Sequence, residues 1–218
     1  MHEVDISPVG VLEDIAEGST AELILQAAGR LFAAKGFHGI STREIAQAVG
    51  IRQPSLFHHF SSKTQIAQYL LEYGRLRSPL LRGVELLPQA RPAVRLYATF
   101  RYEIELEVSS RFEMRGLYLT GLLEEPEFAF WKSKYDAARA RGYELIKQGM
   151  NRGDFSQGPI DIVVNFFDAI LLSAVRWRQQ DPLAVDADAV TSLLLKSVLN
   201  QTQELSDIRS EALRLLSS

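Results

Sequence analysis

The chain has 218 residues, 46% of them hydrophobic, and a formal net charge of -3, enough apolar material to bury a core in one body or two. It contains no cysteine, which excludes disulfides, thiolate chemistry and zinc sites built on sulfur. The longest apolar run, Ile160 to Val175, is interrupted by Asp161, Asn165 and Asp168 and is too short to span a membrane, and the acidic N-terminus lacks the features of a secretory signal, so the expected location is cytoplasmic.

Residues 1–18 carry five acids and no Lys or Arg. They read as an acidic arm in which Val9, Val11, Leu12 and Ile15 could form a brief helix. Ser19 and Glu22 have the spacing of a capping box, and Leu23, Ile24, Ala27, Ala28, Leu31 and Phe32 form an apolar stripe that closes at Gly36. Ser41 and Glu44 repeat the spacing, so a second helix starts at Thr42. Ile45, Ala46 and Val49 give it one buried face, and Gly50 can take the positive φ at which it stops.

After a tight turn from Gly50 to Arg52, Pro54 suits the first turn of a third helix, where its missing N–H costs nothing. Leu56 and Phe60 lie one turn apart and can pack back on the second helix. Lys63 opens a fourth helix after Ser61-Ser62. A capped helix, a glycine-closed turn and a short helix are the grammar of a helix-turn-helix DNA reader. The charge agrees: from Ser19 to Arg77 there are seven Lys/Arg against three Glu, a local +4, and phosphate attraction is felt over only about 10 Å at ~0.1 M salt.

The segments Ile24-Leu-Gln-Ala-Ala28, Leu31-Phe-Ala-Ala-Lys-Gly36, Thr42-Arg-Glu-Ile-Ala46 and Leu56-Phe-His-His-Phe60, followed by Ser62-Lys63, resemble the N-terminal domain of the TetR family of transcriptional regulators. The resemblance covers about a quarter of the chain. It implies an all-α protein: residues 1–18 as an N-terminal arm, 19–77 as a small three-helix helix-turn-helix domain, and 78–218 as a larger helical domain for ligand binding and dimerisation. The implied partners are an operator in double-stranded DNA, a second copy of the chain and a small-molecule effector.

In such a reader the start of the recognition helix meets base edges, which puts Arg52, Gln53 and Ser55, flanking Pro54, nearest the major-groove floor. Arg52 can take guanine O6 and N7, and Gln53 adenine N6 and N7. Thr42 and Arg43 open the preceding helix and are expected at phosphates or the groove edge. The resemblance makes Lys63 a backbone contact. It also shows departures: Arg52 where a small polar residue is frequent, Phe57 where tyrosine is frequent, His58 where a second aromatic is frequent. Phe57 has no hydroxyl for a phosphate, which leaves it packing alone. His58 and His59 point about 100° apart on a helix with no acid or thiol placed to complete a metal site. They read as phosphate contacts or packing, and no metal or cofactor is expected.

Beyond Arg77, Ser78-Pro79 and the stretch from Pro88 to Pro92 break the pattern. Helices are expected from Pro92 to Val108, from Arg111 to Leu123 and from Glu127 to about Gln148, before a glycine-rich loop in which Arg152-Gly153-Asp154 is turn chemistry. The resemblance implies an apolar effector cavity in the middle helices, and its candidate lining is Phe100, Glu103, Glu107, Met114, Tyr118, Phe130, Trp131 and Phe167. Glu103 and Glu107 share a face: buried, they would greet a cationic ligand; exposed, they are a solvated pair.

From Pro159 to Gln180 the sequence is apolar on too wide an arc for an outer helix, and a segment from Ala187 to about Asn200 could cover part of it. Phe166, Ile170, Ala174, Trp177, Val190, Leu194 and Val198 are the candidate interface of a two-fold, four-helix dimer. Ile208, Ala212, Leu215 and Leu216 mark a final helix. No nucleophile elbow, phosphate loop or dinucleotide fingerprint occurs, so an enzyme is not expected. The alternative to a regulator, most simply a repressor acting by occlusion, is a helical protein-interaction scaffold, which leaves the basic, doubly capped head unexplained.

Overall fold

The computed structural model describes residues 15–118, 121–180 and 186–217, and for Arg115 and residues 175–180 only the helical backbone. Among the described residues the chain is helical, with one isolated antiparallel bridge, Phe155 to Leu199. Among these residues no helix is long and apolar enough to cross a membrane. Contacts divide the chain into two units: residues 1–77 with 110–134, and residues 78–109 with 135–218. The division after Arg77 is where Ser78-Pro79 breaks the helical pattern. Ser110–Lys134, by contrast, packs with the N-terminal helices.

In the first unit, α1 (Thr20–Lys35), α2 (Thr42–Val49), α3 (Gln53–Phe57) and α4 (Lys63–Arg77) follow the expected boundaries closely. Ser19 caps α1 by accepting from Glu22 N at 3.2 Å. The box is not reciprocal, because the Glu22 carboxylate reaches Gly18 N at 2.6 Å and Arg111 at 3.1 Å. Glu22 is therefore buried, and Leu23, assigned to the apolar stripe, is exposed. The core is built on Phe32, Ile45, Leu56, Leu70 and Phe128, with Phe37 stacked edge-on to Phe128 at 5.7 Å between ring centroids.

The expected continuous helix from Arg111 to Leu123 is instead a short helix α7 (Arg115–Tyr118) and a 3₁₀ turn at Leu122–Glu124. The physical reason is packing. Phe112, Met114, Leu117, Leu122 and Leu123 are all buried, a pattern no single helical face could bury. Gly116 brings α7 so close to α1 that a Cβ there would lie 2.4 Å from the Phe32 carbonyl carbon.

In the second unit, α6 (Pro92–Ser109) is the element on which α5 (Pro79–Arg82), α9 (Ile160–Gln180), α10 (Ala187–Val198) and α11 (Leu205–Leu216) pack. Pro92 occupies the first position, and the Asp154 carboxylate accepts from Ala93 N at 3.2 Å. Asp154 is thus a buried helix cap, the structural use of the Arg152-Gly153-Asp154 turn. α8 runs Ala129–Arg152, starting after a 3₁₀ turn at Pro126–Phe128 and continuing past the expected end at Gln148. Tyr97 donates its hydroxyl to Asp188, which also accepts from Arg209 Nε at 2.8 Å, tying α6, α10 and α11 together. The α11 stripe buries Ile208 and Ala212, as its spacing predicts. The brief helix expected in residues 1–18 falls almost wholly outside the described residues.

Candidate nucleic-acid interface

The reading pair is assembled by local chemistry. Ser41 Oγ accepts from Glu44 N at 3.2 Å and Glu44 returns the bond to Ser41 N at 2.8 Å, a complete capping box. These bonds, the backbone one foremost, together with Lys35 at 3.1 Å, hold the Glu44 carboxyl down at about 2. α2 ends at Gly50, left-handed at φ 77°, whose N–H reaches Ala46 O and Gln47 O. Arg52 then takes the N-cap position of α3 in extended geometry without a side-chain cap bond, so its guanidinium is left pointing to solvent. Ser55 N and Leu56 N bond the Arg52 carbonyl at 2.9 and 3.3 Å. Leu56 and Phe60 go inward, fully or nearly fully buried.

That inward packing leaves Arg43, Arg52, Pro54, His58 and His59 exposed, with Thr42, Gln53 and Ser55 half-buried between them. Arg43 and Arg52 have no ion-pair partner among the described residues. The three acids from Ser19 to Arg77 are each engaged by a cation: Glu22 by Arg111, Glu44 by Lys35 and Glu72 by Arg75. The positive charge on the reading face is therefore uncompensated in its immediate surroundings. Phe57 is 45% exposed, so packing alone does not account for it; its ring is available on the outer side of α3.

Lys63 departs most from expectation. Its ammonium donates to Phe37 O at 2.7 Å and Ile40 O at 2.8 Å and sits 4.3 Å from the centre of the Phe37 ring. Burial pushes its pKa down. Two of three N–H donors are spent bracing the α1–α2 connection, because α4 starts directly beneath two loop carbonyls that have no helical partner.

The candidate pocket residues fall into both units. Phe100 and Phe167 pack edge-on at 4.4 Å in the core of the second. Glu103, one turn from Phe100 on α6, is buried, and Glu107 is half-buried. Glu103 Oε1 accepts from Ser78 Oγ at 2.9 Å and Leu80 N at 3.0 Å, capping α5, and burial raises its carboxyl to about 7. Glu103 is thus buried and engaged by the α5 cap, not solvated. In the first unit Met114 and Tyr118 lie over Gly74, and Phe130 covers Arg75 at 5.6 Å.

Trp131 donates its indole N–H to Glu72 at 3.1 Å, and Glu72 is gripped at both oxygens by Arg75 at 2.7 and 2.9 Å. Sequence reasoning missed this buried pair. The available signal was an acid and a base three residues apart, Glu72 following the buried Leu70-Leu71 of α4.

The candidate dimer stripe is partly internal. Ala174, Leu194 and Val198 belong to the unit's own core, with Ile170 and Val190 packed against it, and the Trp177 side chain lies outside the described residues. The helices turn their other faces outward: Ile162 is 65%, Phe166 45% and Leu193 74% exposed. α6 claims the inner faces, which hydrophobic periodicity could not distinguish from an interface.

A basic face on a capped helix-turn-helix pair, its one acid engaged by Lys35, is the arrangement of a DNA-binding transcriptional regulator. Residues 24–70 match the model of the bacterial regulatory proteins of the tetR family. The chain is 28% identical over 166 residues to the transcriptional repressor KstR2 of Mycobacterium tuberculosis, covering 73% of this chain and 82% of that one. Its fold matches the crystal structure of Mycobacterium smegmatis AmtR with a TM-score of 0.72 and 26% identity, over 94% of this chain and 98% of that one. AibR, solved in complex with isovaleryl coenzyme A and operator DNA, matches in fold with a TM-score of 0.62 at 20% identity, over 82% of this chain and 97% of that one.

Proposed function

We propose that the protein is a cytoplasmic, non-catalytic repressor that binds a palindromic operator as a dimer and releases it when a small effector binds. The observation that carries this reading is the reading face itself: Arg52 and Pro54 exposed at the start of α3, Gln53 and Ser55 beside them, and Arg43 uncompensated on α2. Arg52, Gln53 and Ser55 meet base edges; Thr42, Arg43, His58 and His59 meet the phosphates, with Lys63 adding at most its remaining N–H. Two such heads roughly 34–36 Å apart fit successive major grooves of a palindrome.

Dimerisation through Ile162, Phe166 and Leu193 accounts for three large apolar side chains left in water. The relatives support repression and response to a ligand, since one is named a repressor and another was captured with an acyl coenzyme A and its operator. An effector acts only through its differential affinity for the arrangement that misplaces the heads.

The test is selection from a random duplex pool, followed by titration of the enriched site at several salt concentrations. An enriched palindrome whose affinity falls steeply with salt is the expected result. A folded protein that enriches no sequence would move the assignment to an interaction scaffold.

A further inference from the structure

The side chain expected to read a base is already held by another residue of the reading pair. Gln53 Nε2 donates to Thr42 Oγ1 at 2.8 Å, a half-buried bond between the first residue of α3 and the first residue of α2. Thr42 is itself fixed, since the Ser41–Glu44 box and the Lys35–Glu44 bridge pin the turn it sits on.

A glutamine amide has two donors on nitrogen and an acceptor oxygen, and a threonine hydroxyl one donor and two acceptor lone pairs. With one Nε2 hydrogen given to Thr42, the amide presents one remaining N–H and Oε1. That edge matches adenine, whose N7 accepts and whose N6 donates, and mismatches guanine, which shows two acceptors. Turning the amide over would bring Oε1 against Thr42 and draw the hydroxyl proton inward. A phosphate at the mouth of α2 needs the same proton.

We propose that Thr42 is the positioning residue that sets the base preference of Gln53, its oxygen orienting the amide toward adenine while its proton goes to a phosphate. The proposal rests on the reading of Gln53 as a base contact. It makes a backbone contact carry sequence information at second hand, because docking on the phosphate locks the amide in the orientation that accepts adenine.

The test uses the full chain and a random duplex pool selected in parallel with wild type, Thr42→Val, Thr42→Ser and Gln53→Ala, then titration of the wild-type duplex and its single-base substitutions. Gln53→Ala is expected to erase the preference at one symmetric pair of positions. Thr42→Val lowers the preference at those same positions by roughly 2- to 10-fold, the scale of one side chain's lost ordering, and Thr42→Ser restores it. Uniform weakening of every duplex by Thr42→Val, with the preference at those positions intact, would overturn the proposal and leave Thr42 a phosphate contact only. A Gln53→Ala protein with unchanged preference everywhere would overturn the base-contact reading beneath it. Thr42→Ala, read in the same way, serves if Thr42→Val does not fold.

Discussion

Glu72 and Arg75 offer the sharpest test of how the first unit is held together. Glu72 is 1% exposed and Arg75 8%, and the carboxylate accepts two bonds from the guanidinium and one from Trp131. Glu72→Ala would strip the buried guanidinium of the carboxylate that accepts two of its bonds and leave the Trp131 N–H without its acceptor. One-sided loss of a buried pair costs about 3–5 kcal/mol, and an orphaned buried donor about 1–3 kcal/mol. The two overlap in one pocket and should not be added, so about 4 kcal/mol is expected, a large share of the ~5–15 kcal/mol that holds a typical domain.

The double substitution Glu72→Leu with Arg75→Met removes both charges and keeps the volume, and should cost far less than the single change. Urea unfolding followed by circular dichroism and by tryptophan emission, for which Trp131 is a local probe, measures both variants. A single variant as mild as the double one would refute the account, because it would mean that water reaches the guanidinium.

Three further outcomes follow from the geometry. Gly116→Ala places a methyl 2.4 Å from the backbone of Phe32 and should lower stability by about 1–3 kcal/mol; an unchanged melting temperature would contradict that close approach. Glu103, held at about 7 against an ordinary 4.5, is raised on folding, so its contribution is fully present below about pH 4.5 and is lost as pH rises through about 7. Glu44, lowered to about 2, contributes above about pH 4.5 and loses that contribution as pH falls toward 2. Glu103→Gln should flatten the neutral limb of a stability–pH curve and Glu44→Gln the acidic limb, and no change in either limb would count against the assigned environments. Phe166→Glu should give a folded monomer by sedimentation, while Leu194→Glu should unfold the second unit, since only Phe166 is exposed; a stable Phe166→Glu dimer would exclude that face.

The helices around the reading pair were legible because their signals are local. Ser41 with Glu44, Gly50 and Pro54 each act within one turn of backbone, through bonds that need no distant partner. For that reason α2 begins at Thr42 as its spacing says. The outer side of α3 was legible too, since Leu56 and Phe60 have to go inward and what remains faces solvent.

In the second half of the chain periodicity and breakers mark helices, but they do not fix which residues those helices bury. Arg111–Leu123 has apolar content but no single face, and only its packing around Gly116 decides where helix is possible. In the first half the same holds for Lys63, expected at the DNA backbone, whose ammonium meets two loop carbonyls and the Phe37 ring.

What the amino-acid order determined by itself is the all-helical class, the capped helix-turn-helix and the basic face it exposes, because caps, turns and amphipathic stripes are set by residues within four positions of one another. What the tertiary structure decided is which partner each side chain found: Glu72 with Arg75 and Trp131, Glu103 on the start of α5, Gln53 on Thr42, and Leu194 inside with Leu193 outside. Hydrophobic periodicity marks a face as apolar but does not name what covers it, and a charge is fixed in sequence while its desolvation depends on groups brought together from far along the chain.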